Sequence, residues 1–423
     1  MVGNKTETPE KSVDGYKWRA LVLLWVAFFL QQGTRQIYGA TLSSIQNSLG
    51  LDPSGIGLVG TVFTFLYGIA VPFAGMAADM LSRKWMVVSG VFVFCLGIFA
   101  SGFATSLGML LATYGVLNGF GQTFYYPSAT SLVGQLHKET RATALSILQL
   151  GLYTGIIGCS AASGWLAQSG ADGWRAPFWL FGGAGVAWAV AMAFLLKDTK
   201  QEAPAGGSAK PSLGEAAKAF FANPAAIMLA LGLSMMIYVD VGFKTWMPNY
   251  LEETFSMAKG SAAFNAVLWH YLGALAGVLA GGRISDAFVG RRPSIRMETN
   301  IFGLAFSVPF IIWMAYAPTF AQCCAAMALF GVFRGIYDSN LMAALFDIVP
   351  SRYHASGVGL MLSFAFVIGS ASPCALGFMK ERFAPATGLA SLAAFYVVGA
   401  AVIFVARKTT YGRGRGTQAR GVV

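Results

Sequence analysis

The sequence predicts an all-α membrane protein, with twelve transmembrane helices arranged as two pseudo-symmetric six-helix bundles. Three observations carry that prediction. The first is composition: of 423 residues, 56% are hydrophobic and only 11% charged, where a soluble chain carries about 25% charged residues. Mean hydropathy is +0.60. The second is segmentation. Apolar runs recur twelve times, separated by polar or Pro/Gly clusters, and most approach or exceed the roughly 20 residues that cross a bilayer. The third is an internal repeat, in which motifs after the second and eighth runs echo one another.

Along the chain, a polar tail at 1–18 precedes the first run, 19–47, whose apolar start ALVLLWVAFFL gives way to QQGTRQIYG. Runs at 55–80, 85–104, 107–133, 141–168 and 175–196 complete an N-terminal bundle, 19–196. Residues 197–223 are rich in Gly, Ala, Pro and Lys and read as a flexible linker. The part from Pro211 to Phe221 has the pattern of a short amphipathic helix at the membrane surface. Runs at 224–251, 262–287, 297–317, 319–349, 354–380 and 386–406 form a C-terminal bundle, 224–406. A basic tail, 407–423, suits contact with anionic lipid. Runs longer than 25 residues are accommodated by tilt, and the 51 glycines allow close helix packing.

Charge orients this arrangement. Lys and Arg collect in the tails and in the loops after even-numbered runs, among them Arg83, Lys84, Lys138, Arg141, Lys197, Arg296 and Arg352. The opposite loops hold only Arg175, Lys259, Lys380 and Arg382. The positive-inside rule therefore predicts a multi-pass protein of the inner (plasma) membrane with both termini cytoplasmic. The net charge of +11 is accounted for by this bias, so no nucleic-acid partner is expected. The five cysteines lie in apolar runs without C-x-x-C spacing, so neither a zinc site nor a disulfide framework is expected. The N-terminus lacks a short apolar stretch with a cleavage site, so no removable signal peptide is expected. No phosphate-loop lysine, G-x-S-x-G serine or H-E-x-x-H pair occurs, and neither an enzyme nor a cofactor is predicted.

The repeat consists of Gly75, Asp79, Arg83 and Lys84 after the second run and Gly282, Asp286, Arg291 and Arg292 after the eighth, one residue longer. With RATALS at Arg141 echoed by HASGVG at His354, the chain resembles the major facilitator superfamily over nearly its whole length. The resemblance implies the major facilitator fold, with Gly75, Asp79, Arg83, Lys84, Asp286, Arg291 and Arg292 serving as gate residues. Two stretches are similar to its anion/cation symporter and organophosphate antiporter branches: TWMPNYLEE (Thr245–Glu253) and the polar first run, where Arg35 matches an anion-binding arginine. Two positions depart from those branches. Gln122 stands where many symporters have a proton-carrying glutamate, and Asp240 where phosphate antiporters have an arginine.

Charges within the hydrocarbon are costly and therefore functional candidates. Arg35 lies 16 residues beyond Arg19, about 24 Å along a helix. Arg334 and Asp240 fall at similar depth, and Lys244 and Asp338 follow one turn from Asp240 and Arg334. Three cations against two carboxylates leave one positive charge, which suits a carboxylate ligand gripped by guanidinium. The alternative stays open that Arg334–Asp338 and Asp240–Lys244 are structural pairs. Gln32, Tyr38, Gln122, Tyr125, Trp246, Asn249 and Asn340 lie at comparable levels and are further candidate substrate contacts. His270 is a candidate proton shuttle with the alternative of a satisfied interior residue.

These readings converge on a secondary active transporter for a small organic anion, foremost a sugar acid such as a hexuronate, aldonate or sialic acid. It would work by alternating access, the two halves rocking about a central site. Proton symport would fall to Asp240 or Asp338, because Gln122 cannot titrate; sodium remains an alternative coupling ion. Competing readings are a neutral monosaccharide permease, an amphiphile efflux pump, and a non-transporting signalling or interaction protein. One chain holds both halves, so a functional monomer is expected.

Overall fold

Long apolar runs with few internal breakers fold as helices, and a computed structural model describes them over residues 9–137, 139–170, 172–198, 213–292, 294–350 and 353–409. Helix α1 spans Pro9–Leu49, α2 Pro53–Met80 and α3 Arg83–Ser101. The fourth span, α4, is segmented into Leu107–Leu110, Leu111–Asn118, Gly119–Thr123 and Tyr125–Leu136. Helices α5 (Arg141–Leu166) and α6 (Arg175–Leu195) complete the first half, and a short linker helix occupies Leu213–Phe221. The second half contains α7 (Pro224–Phe255), α8 (Lys259–Phe288), α9 (Ile295–Ala315) and α10 (Phe320–Phe346). It ends with α11, in two pieces (His354–Gly369 and Ser372–Arg382), and α12 (Pro385–Thr409). The tails 1–8 and 410–423, most of the linker, and the loop cations Lys138 and Arg352 lie outside the described residues.

Helix starts follow ordinary capping chemistry. Ser82, Ser106, Asn223 and Thr319 each accept a first-turn backbone N–H, and proline opens α2 and α7, where the missing N–H costs nothing. Among the described residues, ten helices are long and apolar enough to cross a membrane. Helix α1 falls outside that set because Gln31, Gln32, Arg35 and Gln36 interrupt it. Helix α4 does so because its eight central residues, Leu111–Asn118, adopt wide π-type turns and divide the span.

The halves meet on the side opposite the linker. There Gly57 and Gly60 of α2 pack on Pro373 of α11, Gly377 of α11 packs on the Pro53 backbone, and Gly164 of α5 packs on Gly260 of α8. Without side chains at Gly57, Gly377 and Gly164 the backbones come into direct contact, while Gly60 takes the Pro373 ring. Hydrogen bonds reinforce the seam: Ser160 donates to the Ala263 carbonyl (2.8 Å), Lys259 to Ser44 (2.6 Å) and Ser43 to Glu252 (2.7 Å). The Ser54 amide donates to the Glu381 carboxylate (2.8 Å). On the linker side a hollow of about 610 Å³, lined by Thr130, Ser131, Arg141 and Ser146, opens between α4 and α5. The central cavity is thus sealed on one side and approached from the other.

Candidate functional site

Where the polar part of α1 faces the second half, a cavity of about 370 Å³ is lined by Gln32, Arg35 and Tyr38 of α1, Phe63 and Tyr67 of α2, and Tyr126 of α4. From the second half come Asp240 and Lys244 of α7, Arg334 of α10 and Phe366 of α11. It shares Tyr126 and Gln149 with the linker-side hollow.

The first half contributes one cation. The Arg35 Nε donates to the Gln122 Oε1, while the Gln122 side-chain NH2 donates to the Asn118 Oδ1 (2.8 Å) and the Gln122 backbone carbonyl accepts from the Gln31 side chain (2.7 Å). The guanidinium lies over the Tyr67 ring at 4.4 Å and near Phe63 at 5.7 Å. Its described partners are amides and rings, and its buried Nη2 has no hydrogen-bond partner. A guanidinium held this way keeps its full positive charge, with no anion beside it among the described residues, and the residue lines the cavity.

The second half contributes a charge network. Lys244 Nζ donates to Asp240 Oδ2 at 2.7 Å, and Arg334 Nη1 stands 3.2 Å from the other Asp240 oxygen. Arg334 Nε is 3.5 Å from Asp338, and Arg334 Nη1 donates to His270 Nε2 at 2.9 Å. Both i,i+4 pairs expected from sequence form, and the Arg334–Asp240 bridge joins them across helices. Asp240 is 9% and Asp338 31% exposed at the side chain. Two cations and two carboxylates balance here, whereas Arg35 has no carboxylate partner among the described residues.

Several sequence candidates are held elsewhere. Tyr125 is buried, stacked on Phe28, with its hydroxyl donated to the Leu24 carbonyl; its neighbour Tyr126 lines the cavity instead. Trp246 donates to the Pro373 carbonyl at 3.0 Å, joining α7 to α11. Asn249 is tied to Lys380 (2.5 Å) and Glu253 (3.1 Å) towards the sealed side. Asn340 packs α10 on α8 through the Gly281 carbonyl (3.3 Å). Gln122 lies beneath Arg35, and Tyr38 presents its ring while its hydroxyl binds the Ile56 carbonyl (2.5 Å). Phe63, Tyr67 and Phe366 were not singled out by the sequence; the spacing of Phe63 and Tyr67, one turn apart, was the available signal.

Of the expected gate residues, Asp286, Arg291 and Arg292 are exposed and Lys84 lies over the Trp85 ring at 5.1 Å. Arg83 is half-buried with Nε and Nη1 unpartnered. The surroundings of Gly75 and the side chain of Asp79 are outside the description. Among the described residues no His/Cys/Asp/Glu group could hold a metal ion.

Comparison with known proteins agrees with this architecture. The family model described as Major Facilitator Superfamily matches residues 24–373. The probable galactarate/D-glucarate transporter GudP of Escherichia coli is 25% identical over 409 residues, covering 88% of each chain. The probable sulfoacetate transporter SauU of Cupriavidus necator is 25% identical over 400 residues, covering 86% of this chain and 88% of its own. Among solved structures, a bacterial homologue of the human lysosomal transporter Spinster, inward-facing and unoccupied, superposes with a TM-score of 0.84. Identity there is 20%, with 98% of this chain and 99% of that one covered. With its sequence matched by the family model and its twelve helices folded as the family's are, this chain belongs to the major facilitator superfamily.

Proposed function

We propose that this secondary transporter moves a small carboxylate-bearing organic anion, foremost a sugar acid, across the plasma membrane, with the linker side cytoplasmic and with proton symport at Asp240 or Asp338 for anions of more than one charge. One observation carries the reading: Arg35 lines the cavity bound to a neutral amide and with no carboxylate in ion-pair range among the described residues, while Lys244 and Arg334 each have one. Buried donors without a hydrogen-bond partner remain on both guanidiniums, Arg35 Nη2 and Arg334 Nε. A buried guanidinium donor without an acceptor is costly until a ligand supplies one. The rings of Tyr67, Phe63 and Tyr126 supply apolar faces for a carbon skeleton, and Gln32 and Gln149 supply amides for hydroxyls. The volume of about 370 Å³ suits a small ligand. The named cargoes of GudP and SauU are both anions, which supports the same class.

In this reading Arg35 and Arg334 hold carboxylate, the seam of α2 with α11 and α5 with α8 closes the outer side, and Asp79, Arg83, Asp286 and Arg291 act at the inner gate. The two halves, 19–196 and 224–406, rock as units within one monomer. The test is the melting temperature of purified protein against sugar acids, sulfonates, sugar phosphates and neutral sugars, with Arg35→Ala alongside. A ligand at 100 times its Kd stabilises the folded state by about 2.7 kcal/mol. Stabilisation by a carboxylate sugar that disappears in Arg35→Ala supports the reading. Stabilisation by a neutral sugar that survives in Arg35→Ala overturns it.

A further inference from the structure

The two carboxylates of the C-terminal half differ in how firmly they are held. Asp240 has two cations on it, Lys244 at 2.7 Å and Arg334 at 3.2 Å, and is 9% exposed. Asp338 has a single contact, Arg334 Nε at 3.5 Å, and is 31% exposed. Protonating Asp240 would leave two buried cations without their shared anion. Protonating Asp338 breaks one long contact and leaves Arg334 still paired to Asp240.

His270 offers no competing proton site in this arrangement. Its Nε2 accepts from the Arg334 guanidinium, so that nitrogen carries no proton while the bond stands, and a second charge would sit directly against Arg334. The other charged or titratable groups around Asp338 are Tyr337 on its own helix, Asp240 and Lys244 on α7, Tyr153 on α5 and Tyr396 on α12.

The charge count then separates two classes of sugar acid. With both aspartates ionised, the cavity has one unmatched positive charge, from Arg35, enough for a monoanion. A dianion needs a second, and the least costly source is neutralising the carboxylate held by one long contact. Resting on the anion reading above, we propose that Asp338 takes up one proton when a six-carbon sugar diacid binds, and none when the corresponding monoacid binds. The proton comes from solvent, to which the Asp338 side chain is 31% exposed, Asp338 becomes a neutral acid, and the charge of Arg334 is released to the second carboxylate of the ligand. Asp338 is thereby a specificity-determining residue for dianions.

The experiment is titration calorimetry of the purified full chain with D-glucarate and D-gluconate, in two buffers of different ionisation enthalpy at one pH. Glucarate is expected to bind with uptake of about one proton and gluconate with none, one proton being a slope of about tenfold in affinity per pH unit. In Asp338→Asn, glucarate is expected to bind without proton uptake and without pH dependence. Binding of glucarate to the wild type without proton uptake, or undiminished uptake in Asp338→Asn, overturns the assignment alone. No heat with either acid overturns the assignment; the anion reading falls with it only where the melting-temperature panel also finds no stabilising anion. Should Asp338→Asn fail to fold, the wild-type pH profiles decide: a steep glucarate profile beside a flat gluconate profile supports the proposal, and two parallel profiles overturn it.

Discussion

Arg334 of α10 crosses to α7 and stands 3.2 Å from Asp240, while Lys244 holds the same carboxylate from one turn away on α7. This bridge turns two local pairs into one network, and its members are not interchangeable. Arg334→Ala leaves Asp240 with one cation and Asp338 with none. It is expected to destabilise by about 3–5 kcal/mol, the range for removing one partner of a buried pair. Combining it with Asp338→Asn should recover part of that loss. Melting curves of both variants in detergent check the order; a double variant no more stable than the single would show that Asp338 is not charged against Arg334.

Arg35→Lys preserves charge but not geometry. A lysine ammonium cannot hold the Gln122 carbonyl oxygen, lie flat over Tyr67 and still offer a second planar donor to the cavity. The variant should fold and melt near the wild type, yet bind a sugar acid at least about tenfold more weakly, the cost of one charge-assisted hydrogen bond being about 1.5–3 kcal/mol. Titration of the stabilising ligand against both proteins measures it; equal affinities would remove Arg35 from the site.

Gly377→Val tests the seam. A Cβ at Gly377 falls on the Pro53 backbone, where neither partner can rotate away. Overpacking of this kind costs about 1–3 kcal/mol, enough to shift a two-state equilibrium roughly 5- to 150-fold. The variant should open the sealed side. A cysteine placed at Ser44, which is buried beneath Lys259, should then react faster with a water-soluble maleimide than in the Gly377 parent. Unchanged reactivity would mean that the seam tolerates the side chain.

Arg175 and Asp172 form an ion pair whose members carry unequal weight. Arg175 Nη1 donates to the carbonyls of Gly102 (3.0 Å) and Ala104 (2.7 Å), closing the end of α3 against α6, and its guanidinium covers Trp174 at 4.4 Å. Arg175→Met should cost about 1.5–3 kcal/mol. Hydrogen bonds from Arg175 and Ser48 hold the exposed Asp172 carboxyl below its ordinary value of 3.8. Its contribution is therefore complete above pH 3.8 and is lost only as pH falls through the lower value in the folded state. Asp172→Asn should leave the melting temperature nearly unchanged at pH 7, with any difference from wild type shrinking further in strong acid.

The number of helices and the depth of each charge were legible in the sequence because a bilayer converts residue count into height. Counting from the helix ends puts Arg35, Asp240, Arg334 and Asp338 near one level, with Lys244 a turn outward; Arg35, Asp240 and Arg334 do line one cavity, which Lys244 also lines and Asp338 does not. Direction around each helix was less legible. Tyr125 and Tyr126 share a height, but the wide turns of Leu111–Asn118 shift the face that α4 presents, so the regular period gives no choice between them. Trp246, Asn249 and Asn340 also have polar groups at suitable heights, yet each turns towards a neighbouring helix of its own half. Phe63 and Tyr67 were hidden for the opposite reason: lipid and an aromatic cavity wall ask for the same side chains. The Arg334–Asp240 bridge depends on the packing of α10 against α7, which no local spacing encodes.

The amide partner of Arg35 has a consequence for membrane voltage. A carboxylate neighbour would cancel the guanidinium charge whenever the cavity is empty; Gln122 cannot. In the proposed anion transporter, the unloaded protein would carry a fixed elementary charge through its reorientation, while a bound monoanion, which takes up no proton, would make the same movement electrically silent. A full membrane potential of 100 mV weighs on such a charge by up to about 2.3 kcal/mol. In that cycle, exchange of one monoanion for another would avoid the load, and net transport would bear it once, on the empty return.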